Sequence, residues 1–132
     1  MTITPIYAAL LAFVFIFLSI RTIKLRGKFK IAIGHNENTE LLRAIRAHAN
    51  FSEYVPMTLL LIYLLEVSVS TSLLIHVLCF GLLVGRVIHA YSVSQINENI
   101  QLRVLGMTIT FASLGIAAIS LLLTSAFRVF GW

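Results

Sequence analysis

Four polar residues recur inside an otherwise apolar stretch: Arg43, Arg46, Asn50 and Glu53, in the segment RAIRAHANFSEYVP. Their spacings of three, four and three follow the repeat of an α-helix. At about 100° per residue they fall within roughly 80° of one face. The stripe joins two guanidinium groups, an amide and a carboxylate. Arginine offers planar paired donors that fit carboxylates. Glu53 supplies a counter-charge for an ammonium, and Asn50 both donates and accepts. The set suits a zwitterionic ligand with more than one carboxylate. It would serve equally as a row of interhelical salt bridges, and residue type alone leaves the two readings open. Pro56, three residues beyond Glu53, removes one backbone hydrogen bond and frees the carbonyl of Ser52. A kink there would widen the space beside the stripe.

Other candidates lie in later segments. Arg86 and His89 are three apart in GRVIHAYSVS and share a helical face. Arg103 opens the last apolar segment, QLRVLGMTITF. Each has an ordinary alternative: a structural ion pair of Arg86 with Glu53, a buried hydrogen-bonded histidine, an arginine marking a helix end. His35 falls in a loop, His48 beside the stripe, and Glu66 and His76 toward the far end. No metal-ligand spacing links these residues, so no metal site is expected. The lone Cys79 excludes an intramolecular disulfide and reads as a small buried apolar residue.

A membrane helix bundle must position these groups. The chain has 132 residues, 59% hydrophobic and 11% charged, against about 25% charged in a soluble domain. Its mean hydropathy is +0.97. Met1–Ile20, Val67–Gly85 and Val104–Phe127 carry no Asp, Glu, Lys or Arg, and each approaches the roughly 20 residues a membrane helix needs. Tyr54–Leu65 is too short alone, so its helix must run back through His48 and Asn50. Helices satisfy their own backbone in lipid, which predicts an all-α bundle of four transmembrane helices forming one domain over residues 1–132. The first run lacks the basic start and small-residue cleavage pattern of a signal peptide, so it reads as a retained helix.

Seven of the ten Lys and Arg lie between Arg21 and Arg46. By the positive-inside rule this first loop and the third connection, SVSQINENIQLR, face the cytoplasm, with both termini outside. Topology thus explains the basic balance without a nucleic-acid partner. Anionic headgroups near Lys24, Arg26, Lys28 and Lys30 are a sufficient counterpart.

The run Arg46, Ala47, Asn50, Ser52, Glu53, Tyr54 and Pro56, R-A-x-x-N-x-S-E-Y-x-P, resembles the second-helix signature of the MAPEG family, the membrane-associated proteins of eicosanoid and glutathione metabolism. Arg43 matches a basic position one turn earlier, and G-R-V-x-H resembles the family's third-helix segment. The resemblance implies a four-helix bundle assembled as a homotrimer, with glutathione bound between subunits near the cytoplasmic side. It also implies roles. Arg43, Arg46, Asn50, Glu53, Tyr54, Arg86 and His89 would hold glutathione, and Arg26 would reach it from a neighbouring subunit. Arg103 stands where the family places the arginine that stabilises the glutathione thiolate. The sequence departs from the family at Val93, where relatives often carry a tyrosine; Tyr91 is out of register.

The resemblance implies a bacterial inner-membrane enzyme, a glutathione transferase or peroxidase acting on lipids and lipophilic small molecules. The alternative is a non-catalytic lipid-binding or scaffold protein on the same fold. A small transporter is a weaker third class, because one bundle shows no paired repeats.

Overall fold

The computed structural model describes residues 2–69 and 72–131. Four helices occupy nearly all of them: α1 (Thr4–Phe29), α2 (Thr39–Ser68), α3 (Ser72–Ser94) and α4 (Ile100–Phe130). All four are long and apolar enough to cross a membrane. At 1.5 Å per residue, α3 is about 34 Å long and α2 about 45 Å, against a hydrocarbon core of about 30 Å. The excess in α2 lies in its first two turns, which carry Glu40, Arg43 and Arg46.

The region from Arg21 to Arg46, expected as a loop, is mostly helical. Only residues 30–38 leave the helices, because Lys and Arg propagate a helix well and α1 simply runs out of the apolar zone. Lys30 ends it in the left-handed region at φ 54°, and the Ile31 amide donates back to the Arg26 carbonyl at 3.1 Å. Asn38 starts α2 by accepting from the Leu41 amide at 2.8 Å, a standard N-cap. Likewise Asn99 accepts from the amides of Gln101 and Leu102 to start α4. Val67 belongs to α2 rather than to α3. The turn expected near residue 70 falls partly on residues 70 and 71, which lie outside the described residues.

Every pair of helices is in contact except α1 with α4. The helices α2 and α3 therefore form the central pair, with Phe51, Val55, Ile62 and Leu65 meeting Ile75, Leu78 and Leu82 in one apolar core. Helices α3 and α4 approach closely. A Cβ added to Gly106 would stand 2.7 Å from the Gly85 carbonyl oxygen and 2.8 Å from the His89 Cβ. Only glycine permits this contact, as is common where membrane helices pack. It sets the start of α4, and Arg103 with it, against the end of α3.

The two ends of the bundle differ in chemistry. At one, the Glu66 carboxylate accepts from the backbone amides of Ile3 and Thr4, and Arg128 donates to the Ser68 carbonyl. At the other, Lys28 pairs with Glu40, Arg21 holds Ser94, and Arg43 meets Glu98. The basic first loop and the connection at residues 95–99 thus share one end, and the described parts of the N-terminus and the α2–α3 turn share the other.

Candidate functional site

The stripe on α2 is split along its length. Its inner edge, Arg43 and Asn50, is half-buried, while its outer edge, Arg46 and Glu53, is exposed. Helical geometry explains the split: positions 43 and 50 lie about 20° apart around the axis, as do 46 and 53, with the two pairs separated by about 40–60°.

The inner edge meets α3. Asn50 Oδ1 accepts from Nη2 of Arg86 at 2.9 Å. Arg86 is completely buried. Its guanidinium lies 5.7 Å from the ring centroids of both Phe51 and Tyr54, within cation–π range, and Nη1 touches the Met107 sulfur at 3.5 Å. The Tyr54 ring is fixed in turn by an edge contact with Phe111 at 5.4 Å. Among the described residues Arg86 has no ion-pair partner, so the alternative of a structural pair with Glu53 is not seen in the single chain.

Arg43 Nη1 donates to the Val93 carbonyl at 3.3 Å and pairs with Glu98 Oε2, while Glu98 Oε1 pairs with Arg103 Nη1 at 3.0 Å. Glu98 therefore bridges α2 and α4. The two arginines hold its carboxyl below the usual carboxylate range, the hydrogen bond from Arg43 first and that from Arg103 second. His89, buried on α3, lies within the fields of Arg86, Arg103 and Glu98. Among the described residues three buried side-chain nitrogens lack any partner: Arg43 Nε, Arg86 Nε and His89 Nδ1. All three belong to this cluster, which thus keeps unsatisfied polar capacity.

The structure thus brings together Arg43, Asn50, Tyr54, Arg86, His89 and Arg103. Arg46 and Glu53 point away from this inner cluster on the outer edge of α2. Arg26 lies apart within the single chain, donating to the carbonyls of Ile31, Ala32 and Gly34 at 3.0–3.3 Å. Val93 is buried, and Tyr91 is exposed on the opposite wall of α3. His48 bonds Ser19 at 3.0 Å and stacks on Phe15 at 4.8 Å, which ties α2 to α1. Sequence reasoning missed Glu98. The available signal was a single acidic residue five positions before Arg103, in a connection that otherwise carries no charge.

A cavity of about 570 Å³ lies elsewhere, between α1 and α3, lined by Phe13, Phe17, Val87, Tyr91 and Arg21. Its lining is mostly apolar.

Fold and site define a four-helix membrane protein that gathers three arginines, one of them fully buried, at the loop end of its bundle. The MAPEG family model matches residues 4–123, and the chain belongs to that family, as its second-helix motif implied. The inner membrane protein YecN of Escherichia coli strain K12 is 32% identical over 89 residues, which cover 67% of this chain and 68% of the relative. YecN of Escherichia coli O6:H1 strain CFT073 matches to the same extent.

Proposed function

We propose that this protein is a glutathione-dependent transferase or peroxidase of the bacterial inner membrane, acting as a homotrimer on lipophilic electrophiles. One observation carries the reading. Arg86 is fully buried in a membrane helix with no carboxylate paired to it among the described residues. A buried cation held only by a neutral amide and aromatic faces is costly, and an anionic ligand would offset that cost. The partnerless nitrogens of Arg43, Arg86 and His89 fit the carboxylates and amides of a small peptide. Glutathione brings two carboxylates, one ammonium, two amides and a thiol.

The outer edge of α2 supports the trimer. Arg46 and Glu53 share a face with Met57, Leu60, Leu64 and Val67, all exposed on the single chain. Glu53 lies beyond the turns of α2 that exceed the hydrocarbon core, and a carboxylate facing lipid is costly, so this face belongs against another copy. There Glu53 and Arg46 would complete the ligand site across the interface. The basic end would face the cytoplasm, where glutathione is available.

Arg103 would supply the chemistry. An ordinary thiol has a pKa of about 8.5, and a neighbouring cation lowers it, which raises the fraction of thiolate at neutral pH. The thiolate would attack an electrophilic carbon entering from the bilayer, forming a C–S bond as the leaving group departs. The second reading, a non-catalytic lipid-binding protein, draws on the pairing of Arg103 with Glu98, which leaves that cation partly neutralised.

Arg103→Ala separates the two. For an enzyme, glutathione affinity falls only modestly, activity near neutral pH collapses, and it partly recovers in alkaline buffer where thiolate forms unaided. Arg103→Lys is intermediate. An unshifted pH–rate profile would remove Arg103 from the mechanism. Glutathione bound without thiolate absorbance in the wild type would favour the non-catalytic reading.

A further inference from the structure

Glu98 sits in the five-residue connection between α3 and α4, yet both its carboxylate oxygens are engaged by cations that belong to the candidate site. Its side chain is only 16% exposed, against 47% for Arg103. The residue that follows Glu98 is held twice: Ser92 Oγ donates to the Asn99 carbonyl at 2.8 Å, and the Asn99 side chain caps α4. Glu98 is thus presented to Arg43 and Arg103 by an anchored connection.

One carboxylate gives an oxygen to a guanidinium from α2 and the other oxygen to a guanidinium from α4, the places that a ligand carboxylate and a thiolate would take. Glu98 does not saturate the pair, because Arg43 Nε stays buried without a partner. We infer that Glu98 is an internal stand-in for the ligand's negative groups, holding Arg43 and Arg103 until a ligand carboxylate takes Arg43 and the thiolate takes Arg103. This rests on the glutathione reading and adds a selectivity rule to it. Separating Glu98 from two cations loses two charge-assisted contacts. Only a ligand that brings its own negative charge restores them, so a neutral analogue of the same shape is rejected. Glu98 is a positioning and specificity residue in this scheme, not one that touches the reacting sulfur.

The test measures equilibrium binding of glutathione and of its dimethyl ester, whose carboxylates are neutral, to the full-length protein in lipid nanodiscs. Wild type, Glu98→Gln and Glu98→Asp are compared. Glu98→Gln should bind glutathione roughly tenfold tighter, since the competing charge is gone. Its preference for glutathione over the ester should shrink. Glu98→Asp, one methylene shorter and able to reach one arginine at a time, should fall between. A structural residue alone would weaken both ligands together and leave their ratio unchanged.

A second measurement needs no variant. Adding glutathione to the wild type should speed amide hydrogen exchange within residues 95–99 as Glu98 is released; slower or unchanged exchange there overturns the proposal, and this decides the matter if Glu98→Gln fails to fold. Wild-type binding that Glu98→Gln leaves equal or weaker overturns this inference alone. No glutathione binding by either protein overturns it together with the glutathione reading.

Discussion

The Glu98 carboxyl lies below its ordinary pKa of 4.5 because Arg43 and Arg103 donate to it. A carboxylate depressed by folding contributes stability above its unfolded pKa and loses it as pH falls through the folded value. Acidification below about pH 4.5 should therefore lower the thermal midpoint of the wild type through this group. In Glu98→Gln that part of the acid sensitivity should be missing, so the two melting curves converge as pH falls. Thermal unfolding in one detergent across that range checks it, and parallel pH dependence in both proteins would count against the clamp. Neighbouring cations play unlike parts at this scale. Arg26 ties down the turn after α1, Arg21 ties α1 to the end of α3, and Arg43, Arg86 and Arg103 gather around one partly satisfied cluster.

Among the elements, α3 and α4 decide where Arg103 stands, and glycines make their approach possible. Gly106→Ala would drive a methyl group into the α3 backbone. Overpacking of this kind costs about 1–3 kcal/mol, and it should also weaken ligand binding by moving Arg103. Gly115→Ala, where nothing lies within 4 Å of the new Cβ, should be neutral or stabilising by up to about 1 kcal/mol. Parallel thermal unfolding of the two variants checks the pair; equal effects would mean the close contact is not decisive. Much of this level was legible in the sequence. The charge-free runs located the spans, and the spacing of Arg43, Arg46, Asn50 and Glu53 placed them on one helix face. The sequence did not reveal that the face divides, because that depends on how far α2 is rotated against α3. Helix ends were also misread where α1 and α2 continue into the basic segment, since charge marks the edge of the bilayer and not the end of a helix. Glu98 escaped notice because its partners lie 55 and 5 residues away, and their meeting depends on the α3–α4 turn.

For the whole molecule, the unpartnered face of α2 carries the heaviest consequence. A carboxylate and a guanidinium stand exposed there beside large apolar side chains, an arrangement suited neither to lipid nor to water. A trimer that encloses this face should persist in mild detergent, with native mass spectrometry showing three copies. Cysteine pairs introduced at Met57 or Leu60 should cross-link between subunits in membranes. Only monomer across several gentle detergents, together with no cross-linking, would contradict the proposed assembly. Glu53→Gln should weaken glutathione binding about tenfold or more without dispersing the trimer, because its role is toward the ligand; a variant that dissociates instead would assign Glu53 to the interface.

The central claim is that the buried cluster around Arg86 binds an anionic peptide, and its most direct measurement is glutathione binding to the wild type and to Arg86→Met, by equilibrium titration in nanodiscs. Methionine keeps an unbranched, flexible side chain while removing the charge, and relief of the buried cation should leave the fold intact or more stable. The expected result is saturable binding by the wild type and a loss of about tenfold to a hundredfold in the variant, in keeping with the worth of a charge-assisted hydrogen bond. Equal affinity in two equally folded proteins, or no binding by a stable wild type, would contradict the claim.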